Sequence, residues 1–189
     1  MSAHTQLTFS IDYPDRSLDR RSTLLRPLLA LPVLIVFGTF GGLLAIPAGA
    51  MIVARRKYPR WFFDFNREYL RFAARIDAYI ALMDDAYPST DSPQHVHLDV
   101  EYPDVERDLD RWAPLYKWLL AIPHLIVLVF LIIGAVFAVI AAWFAILFTG
   151  RYPRSLFTYV EGVMRWAYRV VAYAFLLTTD EYPPFRLAA

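Results

Sequence analysis

The stretch Trp118–Gly150 reads WLLAIPHLIVLVFLIIGAVFAVIAAWFAILFTG and carries no Asp, Glu, Lys or Arg. A second such stretch, Pro27–Ala54, reads PLLALPVLIVFGTFGGLLAIPAGAMIVA. Each is longer than the roughly 20 apolar residues that a helix needs to cross a hydrocarbon core about 30 Å thick. The sequence therefore predicts an integral membrane protein.

The composition agrees with that prediction. Hydrophobic residues make up 58% of the chain and aromatic residues 16%, whereas soluble domains are typically about 45–50% apolar. The formal net charge is only +1, so no overall field attracts nucleic acid, and we expect no nucleic-acid partner. The absence of cysteine excludes disulfides, thiolate metal sites and cysteine nucleophiles.

Several motifs occur twice in the same order. Tyr13-Pro14-Asp15 returns as Tyr102-Pro103-Asp104, and Tyr58-Pro59-Arg60 returns as Tyr152-Pro153-Arg154. At the spacing of the second pair, Arg71, Arg75, Tyr79 and Leu82 are matched by Arg165, Arg169, Tyr173 and Leu176. Ordered matches of this kind indicate an internal repeat. We predict two tandem pseudo-symmetric membrane repeats, residues 1–90 and 91–189.

Each predicted repeat opens with alternating apolar and polar residues, ending at Tyr13 in the first and at Tyr102 in the second. This period of two predicts a half-buried strand. Because a lone strand needs a partner, we expect the two to pair as a small ribbon. The predicted fold is a mainly α membrane protein in which each repeat has a short strand, a long apolar helix or helical hairpin, and an amphipathic interfacial helix.

The number of membrane crossings is open at this stage. Gly41 and Gly134 lie near the middle of their apolar stretches, where a glycine suits either a break or a close helix contact, so a turn is possible there. Arginines flank the first stretch on both sides, and the positive-inside rule would keep both flanks in the cytoplasm. We therefore expect a shallow re-entrant hairpin in the first repeat and full spans in the second, with single long helices as the alternative. Residues 1–26 are polar and lack a signal-peptide core, so we expect a cytoplasmic N-terminus.

The helix predicted after each apolar stretch has one polar and one apolar face. In the first repeat Trp61, Phe65 and Tyr69 share the apolar face, an arrangement typical of a helix lying in the membrane interface. Four arginines at matching positions are the candidate lipid-headgroup contacts, because basic residues at the interface suit anionic headgroups: Arg71, Arg75, Arg165 and Arg169. The alternative is that they only fix topology and extend to the interface.

Sequence motifs for catalysis or cofactor binding are absent, so we expect no enzyme activity, catalytic residue, cofactor or metal. His95 and His97 lie near Asp91 and Asp99, but two histidines without a further defined ligand rarely form a metal site. We expect His124 to be a buried or interfacial hydrogen-bonded residue. Acidic residues close each repeat, and we expect them to cap a turn or to pair with an arginine of the other repeat: Asp84, Asp85, Asp180 and Glu181.

The stretch Trp143–Pro153, followed by Arg165, Arg169 and the ending Asp180–Phe185, resembles the bacterial membrane family called domain of unknown function 4389. The first repeat is similar but degenerate, with Ala54–Pro59 in place of the Thr-Gly-Arg-Tyr-Pro turn. The resemblance implies a bacterial inner-membrane protein and carries over no catalytic residue.

Together these features predict a non-enzymatic scaffold or accessory subunit of a membrane complex. Its expected partners are membrane lipids and other membrane proteins, or further copies of itself. The alternative is a protein that binds lipid or another hydrophobic ligand in a cavity between the repeats, and that serves as a transport component.

Overall fold

A computed structural model describes residues 7–15, 17–40 and 45–188. The elements follow in chain order as β1 (Leu7–Ile11), α1 (Arg20–Phe40), α2 (Ala45–Arg55), α3 (Arg60–Ile80), β2 (Val96–Val100), α4 (Val105–Asp108), α5 (Ala113–Leu120), α6 (Ile122–Thr149) and α7 (Arg154–Val171), which continues as a π-helical turn over Ala172–Leu176. The described chain is therefore mostly helical, with two short strands.

The two strands pair with each other, as the alternating pattern predicted. They form an antiparallel sheet in which Phe9 lies opposite Leu98, at the centre of the register. Every second side chain on each strand is buried, because one face of the ribbon is covered by helices and the other is open. The predicted ribbon is confirmed.

The amphipathic helices cover the sheet. Helix α3 packs on β2, and α7 packs on β1. Much of the apolar face of α3 lies in the protein core, with Phe62, Ile76 and Tyr79 all buried, whereas Trp61 and Phe65 remain exposed. A two-stranded ribbon needs such a cover to be stable. Part of the apolar face that was predicted to contact lipid is thus buried within the protein, and the lipid contact of its exposed part stays a prediction.

Local sequence sets the ends of these helices. Pro59 and Pro153 immediately precede α3 and α7, where a proline loses no helical hydrogen bond and its fixed φ angle suits the first turn. Gly150 ends α6 with φ of 74°, and its N–H donates to the Ile146 carbonyl at 2.7 Å. A glycine in this left-handed conformation is the usual stop of a helix.

Helix α6 runs without a break through Gly134, so of the two open possibilities the turn does not form and the single long helix does. The glycine instead allows a close contact. A Cβ at this position would lie 2.5 Å from the hydroxyl oxygen of Tyr159, and that hydroxyl donates to the Leu131 carbonyl at 3.1 Å. Small residues of this kind let helices approach closely. The second apolar stretch is therefore a long helix, preceded by the short α5, and a hairpin is excluded there.

The first apolar stretch forms two helices, α1 and α2. Gly41, the position at which a turn was predicted, lies outside the described residues. Among the described residues, α1 packs mainly on α3 and α6, while α2 packs mainly on α5 and the π-helical turn. Both parts of the first stretch are therefore attached to the second half of the chain.

Large apolar side chains are exposed along α1 and α6. On α1 the buried positions form a narrow stripe of Thr23, Arg26, Ala30 and Val33. On α6 only 17% of the most apolar window is buried within the protein. By length and composition α6 could cross a membrane, and in the part of the chain that the structure describes it is the one helix that meets this test.

Candidate functional site

Arg71 and Arg165 each donate to a carbonyl at the centre of the two-stranded sheet, Arg71 on β2 and Arg165 on β1. The Nε of Arg71 donates to the carbonyl oxygen of Leu98 at 2.8 Å, and the Nε of Arg165 donates to that of Phe9 at 2.9 Å. Each side chain also pairs with a carboxylate on its own helix. Arg71 contacts Glu68 and Arg165 contacts Glu161, both at 2.6 Å. These guanidinium groups thus tie each helix to the strand that it covers.

Arg75 and Arg169 hold the segments that follow their helices. Arg75 donates to the carbonyl of Ser89. Arg169 donates to the carbonyls of Ala188 at 3.0 Å and Arg186 at 3.5 Å, and burial lowers the pKa of its guanidinium. All four candidate arginines therefore have protein partners. Their role as lipid-headgroup contacts stays a prediction.

Two tyrosines that follow the strands bind the Tyr-Pro turns that precede α3 and α7. The hydroxyl of Tyr13 donates to the carbonyl of Tyr152, and the hydroxyl of Tyr102 donates to that of Tyr58, each at 2.5 Å. Tyr58 and Tyr152 are themselves buried. Burial raises the pKa of Tyr58 to about 12 and raises that of Tyr152 as well. Each Tyr-Pro turn is thus anchored by a tyrosine from the other half of the chain.

A cation at the start of each apolar stretch is buried against the end of the same half. The Arg26 guanidinium pairs with Asp85 and donates to the carbonyls of Tyr79 and Asp84, at 3.1 and 2.9 Å. The guanidinium also lies over the ring of Tyr79, with the Arg26 Cζ 4.6 Å from the ring centroid.

Lys117 occupies the corresponding place in the second half. Its ammonium pairs with Asp180 at 2.6 Å, donates to the Thr179 carbonyl at 2.6 Å, and lies 5.1 Å from the ring centroid of Tyr173. Burial lowers its pKa, against the opposing effect of Asp180.

The terminal acidic residues were expected to cap a turn or to pair with an arginine of the other half. Asp84 does cap a turn, since it accepts the Ala86 N–H at 3.0 Å, whereas Asp85 and Asp180 pair with cations of their own halves.

The cations Arg26 and Lys117 were not among the residues singled out from sequence. The available signal was that each is the last charge before its apolar stretch. A cation at that place must either reach water or find partners inside the protein. The main carboxylate partners, Asp85 and Asp180, also accept backbone N–H groups from Asp19 at 2.9 Å and Asp110 at 2.5 Å, at the entry to the helices that follow.

The histidines of the linker form pairs with carboxylates. His95 Nδ1 lies 3.3 Å from an oxygen of Asp84, and His97 Nε2 lies 3.0 Å from an oxygen of Asp12. No group of three or more potential ligands forms a metal site among the residues that the structure describes.

His124 is fully buried in an aromatic cluster. Its ring stacks on Phe185 with centroids 4.0 Å apart, and its Nδ1 accepts the indole N–H of Trp166 at 3.1 Å. This arrangement requires the tautomer protonated at Nε2. His124 is thus a hydrogen-bonded residue of the core, as expected, and it links the start of α6 to α7 and the C-terminal segment.

Two concave surfaces adjoin α2. The first is an apolar groove of about 490 Å³ between α2, α5 and the residues after α7. The second is a cleft of about 680 Å³ around the Tyr58-Pro59 turn, bounded by Tyr102, and it contains the cations Arg56, Lys57 and Arg60.

Comparison with known proteins gives one match. Residues 111–186 match a family described as "Domain of unknown function (DUF4389)". The match covers α5, α6, α7 and the ending Asp180–Phe185, which is the part of the chain where the resemblance was strongest. No curated protein and no solved structure matches the chain. The match supports the resemblance to this family within the second half of the chain.

Proposed function

We propose that the chain is a non-enzymatic integral membrane protein of the bacterial inner membrane, built by tandem duplication, that acts as a scaffold or accessory subunit of a membrane complex. Its N-terminus lies on the cytoplasmic side. The observation that carries this proposal is the exposure of large apolar side chains along α1 and α6. A soluble protein rarely exposes so extended an apolar surface.

Membrane embedding explains this surface. On α6 the side chains of Phe130, Phe137 and Phe148 are each at least 67% exposed, yet they lie on the helix that is long enough to cross the bilayer. On α1, Leu28 and Ile35 are similarly exposed. In lipid the exposure of these side chains costs no free energy, since hydrocarbon is as apolar as a protein core.

The paired contacts support the duplication. Arg71 and Arg165 donate to the carbonyls of Leu98 and Phe9, two residues that lie opposite each other in the sheet. The same correspondence relates the two tyrosine contacts to the Tyr-Pro turns and the two buried cations to their carboxylates. Leu82 and Leu177 also both adopt positive φ after their helices, at 64° and 58°, although Leu177 lies one residue beyond the position that the sequence spacing matches to Leu82. Because most of these partners are distant in sequence, such agreement favours descent from one repeated unit.

The first apolar stretch is proposed to enter and leave the membrane on one side. Arg20, at the start of α1, donates to the Phe148 carbonyl at 3.3 Å. At the end of α2, the carbonyl of Val53 accepts from Arg111 at 2.7 Å. An arginine thus donates to a backbone carbonyl at each end of the stretch, and the two arginines occupy corresponding positions in the two halves. This arrangement suits a polar layer on the cytoplasmic side.

Labelling of single cysteines tests the membrane location, because the chain has none of its own. Phe137→Cys and Arg107→Cys are a matched pair, since both native side chains are highly exposed, at 67% and 85%. In intact membranes a water-soluble maleimide should label position 107 only, with labelling of position 137 restored after denaturation. Equal labelling at both positions before denaturation would rule out the membrane location.

Copurification in mild detergent tests the scaffold role. A stoichiometric protein partner, or a defined oligomer of the chain, is the expected result. A monomer that retains only lipid would contradict the scaffold and favour the alternative, a protein that binds lipid or another hydrophobic ligand. The apolar groove beside α2 is the observation that supports this alternative.

A further inference from the structure

One face of α2 joins the apolar groove to the basic cleft. Ile46, Gly49, Ala50 and Val53 line the groove at helical spacing. Arg56 comes three residues after Val53, just past the end of α2. Its backbone N–H donates to the Ile52 carbonyl at 3.0 Å, and the residue lines the cleft. At 1.5 Å of rise per residue, the two surfaces meet within about 5 Å along the chain. The face is therefore apolar along α2 and cationic at its end.

The cations of this cleft differ from the other arginines described above. Arg56 and Lys57 are exposed, and their side chains have no hydrogen bond or ion pair with any part of the chain that the structure describes. The guanidinium of Arg60 lies over the ring of Tyr102, 5.2 Å from its centroid. The one carboxylate of the cleft, Asp104, lies 3.7 Å from Arg107. The cleft thus presents an excess of positive charge.

The second half of the chain differs at two of the corresponding positions, although it keeps Arg151 and Arg154 in place of Lys57 and Arg60. Counted back from the two Tyr-Pro turns, Gly49 corresponds to Trp143 and Arg56 corresponds to Gly150. At the position that corresponds to Gly49, the indole N–H of Trp143 donates to the Thr23 carbonyl at 3.2 Å. Arg56 and Gly150 both have positive φ, at 50° and 74°. The first half therefore has a small residue where an indole could lie, and an arginine in a conformation that favours glycine.

We propose that this face of α2 binds one anionic phospholipid, with an acyl chain in the groove and the phosphate among Arg56, Lys57 and Arg60. Arginine and lysine are the usual donors to phosphate oxygens. The apolar groove suits an acyl chain, which a phospholipid has and a soluble phosphoester lacks. The site rests on the proposed membrane location, and it does not require the scaffold role.

Native mass spectrometry of the full chain in non-ionic detergent tests the site, with phosphatidylglycerol and phosphatidylcholine as probes. We expect a saturable one-to-one complex with phosphatidylglycerol, and clearly weaker binding of phosphatidylcholine. The variant Arg56→Gln/Lys57→Gln should weaken it about thirtyfold, since each cation near an anionic group contributes about 1 kcal/mol. The control Arg151→Gln/Arg154→Gln removes the same charge at the corresponding turn and should leave the affinity unchanged.

A second pair of variants tests the groove. Ala50→Trp places an indole in the groove from an exposed position and should weaken the complex, whereas Ala141→Trp makes the same change on an exposed part of α6 and should not. Free glycerol phosphate should fail to displace the lipid. Displacement by glycerol phosphate at lipid-like concentrations would assign the cleft to a soluble phosphoester and overturn the lipid site.

The remaining outcomes are also decisive. Equal weakening by both arginine-containing double variants would mean general attraction of anionic lipid, and would overturn the site. Equal binding of the two lipids would overturn it as well. Either result leaves the protection of position 137 from maleimide untouched, so failure of the site is distinguishable from failure of the membrane location.

Discussion

Phe9 and Leu98 lie opposite each other at the centre of the sheet, and the carbonyl of each accepts a hydrogen bond from an arginine of the other half of the chain. The strand of each half is thereby held by the helix of the other. This exchange makes the two halves interdependent, because neither ribbon strand keeps its cover without the other half. The arginines that were predicted to contact lipid headgroups thus have a structural use.

Replacement of Arg165 tests that use. The variant Arg165→Gln should lower the free energy of unfolding by about 1.5–3 kcal/mol, the range for hydrogen bonds that involve a charged group. Arg107→Gln, at an exposed position, is the control and should change it little. Thermal unfolding in neutral detergent without anionic lipid provides the measurement. If Arg165 served lipid binding alone, its replacement would leave the midpoint unchanged under these conditions.

The pair Arg26–Asp85 is expected to be sensitive to loss of one partner. Asp85→Asn leaves the buried guanidinium without its charge partner and should cost about 3 kcal/mol, at the lower end of the range for buried pairs because Asp85 is 14% exposed. Arg26→Lys should cost less, since the second half has Lys117 at the corresponding place. Asp15→Asn, at an exposed site, is the control. Chemical denaturation of the detergent-solubilised chain measures all three, and equal stabilities would contradict the pairing.

Gly134 should tolerate a side chain only if Tyr159 gives way. Gly134→Ala brings a methyl group to 2.5 Å from the tyrosine hydroxyl, and overpacking of this kind costs about 1–3 kcal/mol. In a Tyr159→Phe background the nearest remaining atom is 3.4 Å away, so the same substitution should cost much less. A double-mutant cycle on thermal stability checks this. Additive effects would show that the two residues do not contact each other.

Stability should fall in alkaline solution through Tyr58. Its pKa is raised by burial from 10.0 to about 12, so above pH 10 the unfolded chain loses a proton that the folded chain keeps. Stability therefore decreases as the pH rises from about 10 to about 12, by up to about 2.7 kcal/mol. Tyr58→Phe should flatten the dependence of the unfolding free energy on pH, whereas Tyr87→Phe, which removes an exposed phenol, should not. Equal slopes in the two variants would refute the assignment to Tyr58.

Sequence periodicity predicted the local elements well. The alternation before Tyr13 and Tyr102 predicted two strands and their pairing, because a strand with one apolar side must be covered on that side. The amphipathic pattern after each apolar stretch predicted a helix there, and α3 and α7 are those helices. The ending on Asp180–Phe185 pointed to the family that matches residues 111–186.

The use of individual side chains was harder to predict. At Gly134 a turn and a close helix contact both stayed open, because a glycine in an apolar stretch suits the two equally well until the facing residue is known. Some aromatic residues on the predicted membrane side of α3 are buried, because a protein core and a bilayer favour the same amphipathic pattern. In both cases the missing information was which element lies opposite.

The sequence by itself determined the apolar stretches, the strand pattern and the ordered recurrence of motifs, since these depend on residue type and spacing alone. Only the tertiary structure decided the partners of Arg71, Arg165, Arg26 and Lys117, and the contrast between Gly49 and Trp143 beside the groove. The physical reason is that hydrogen bonds and ion pairs form between groups distant in sequence. Their geometry exists only once the two halves have packed together.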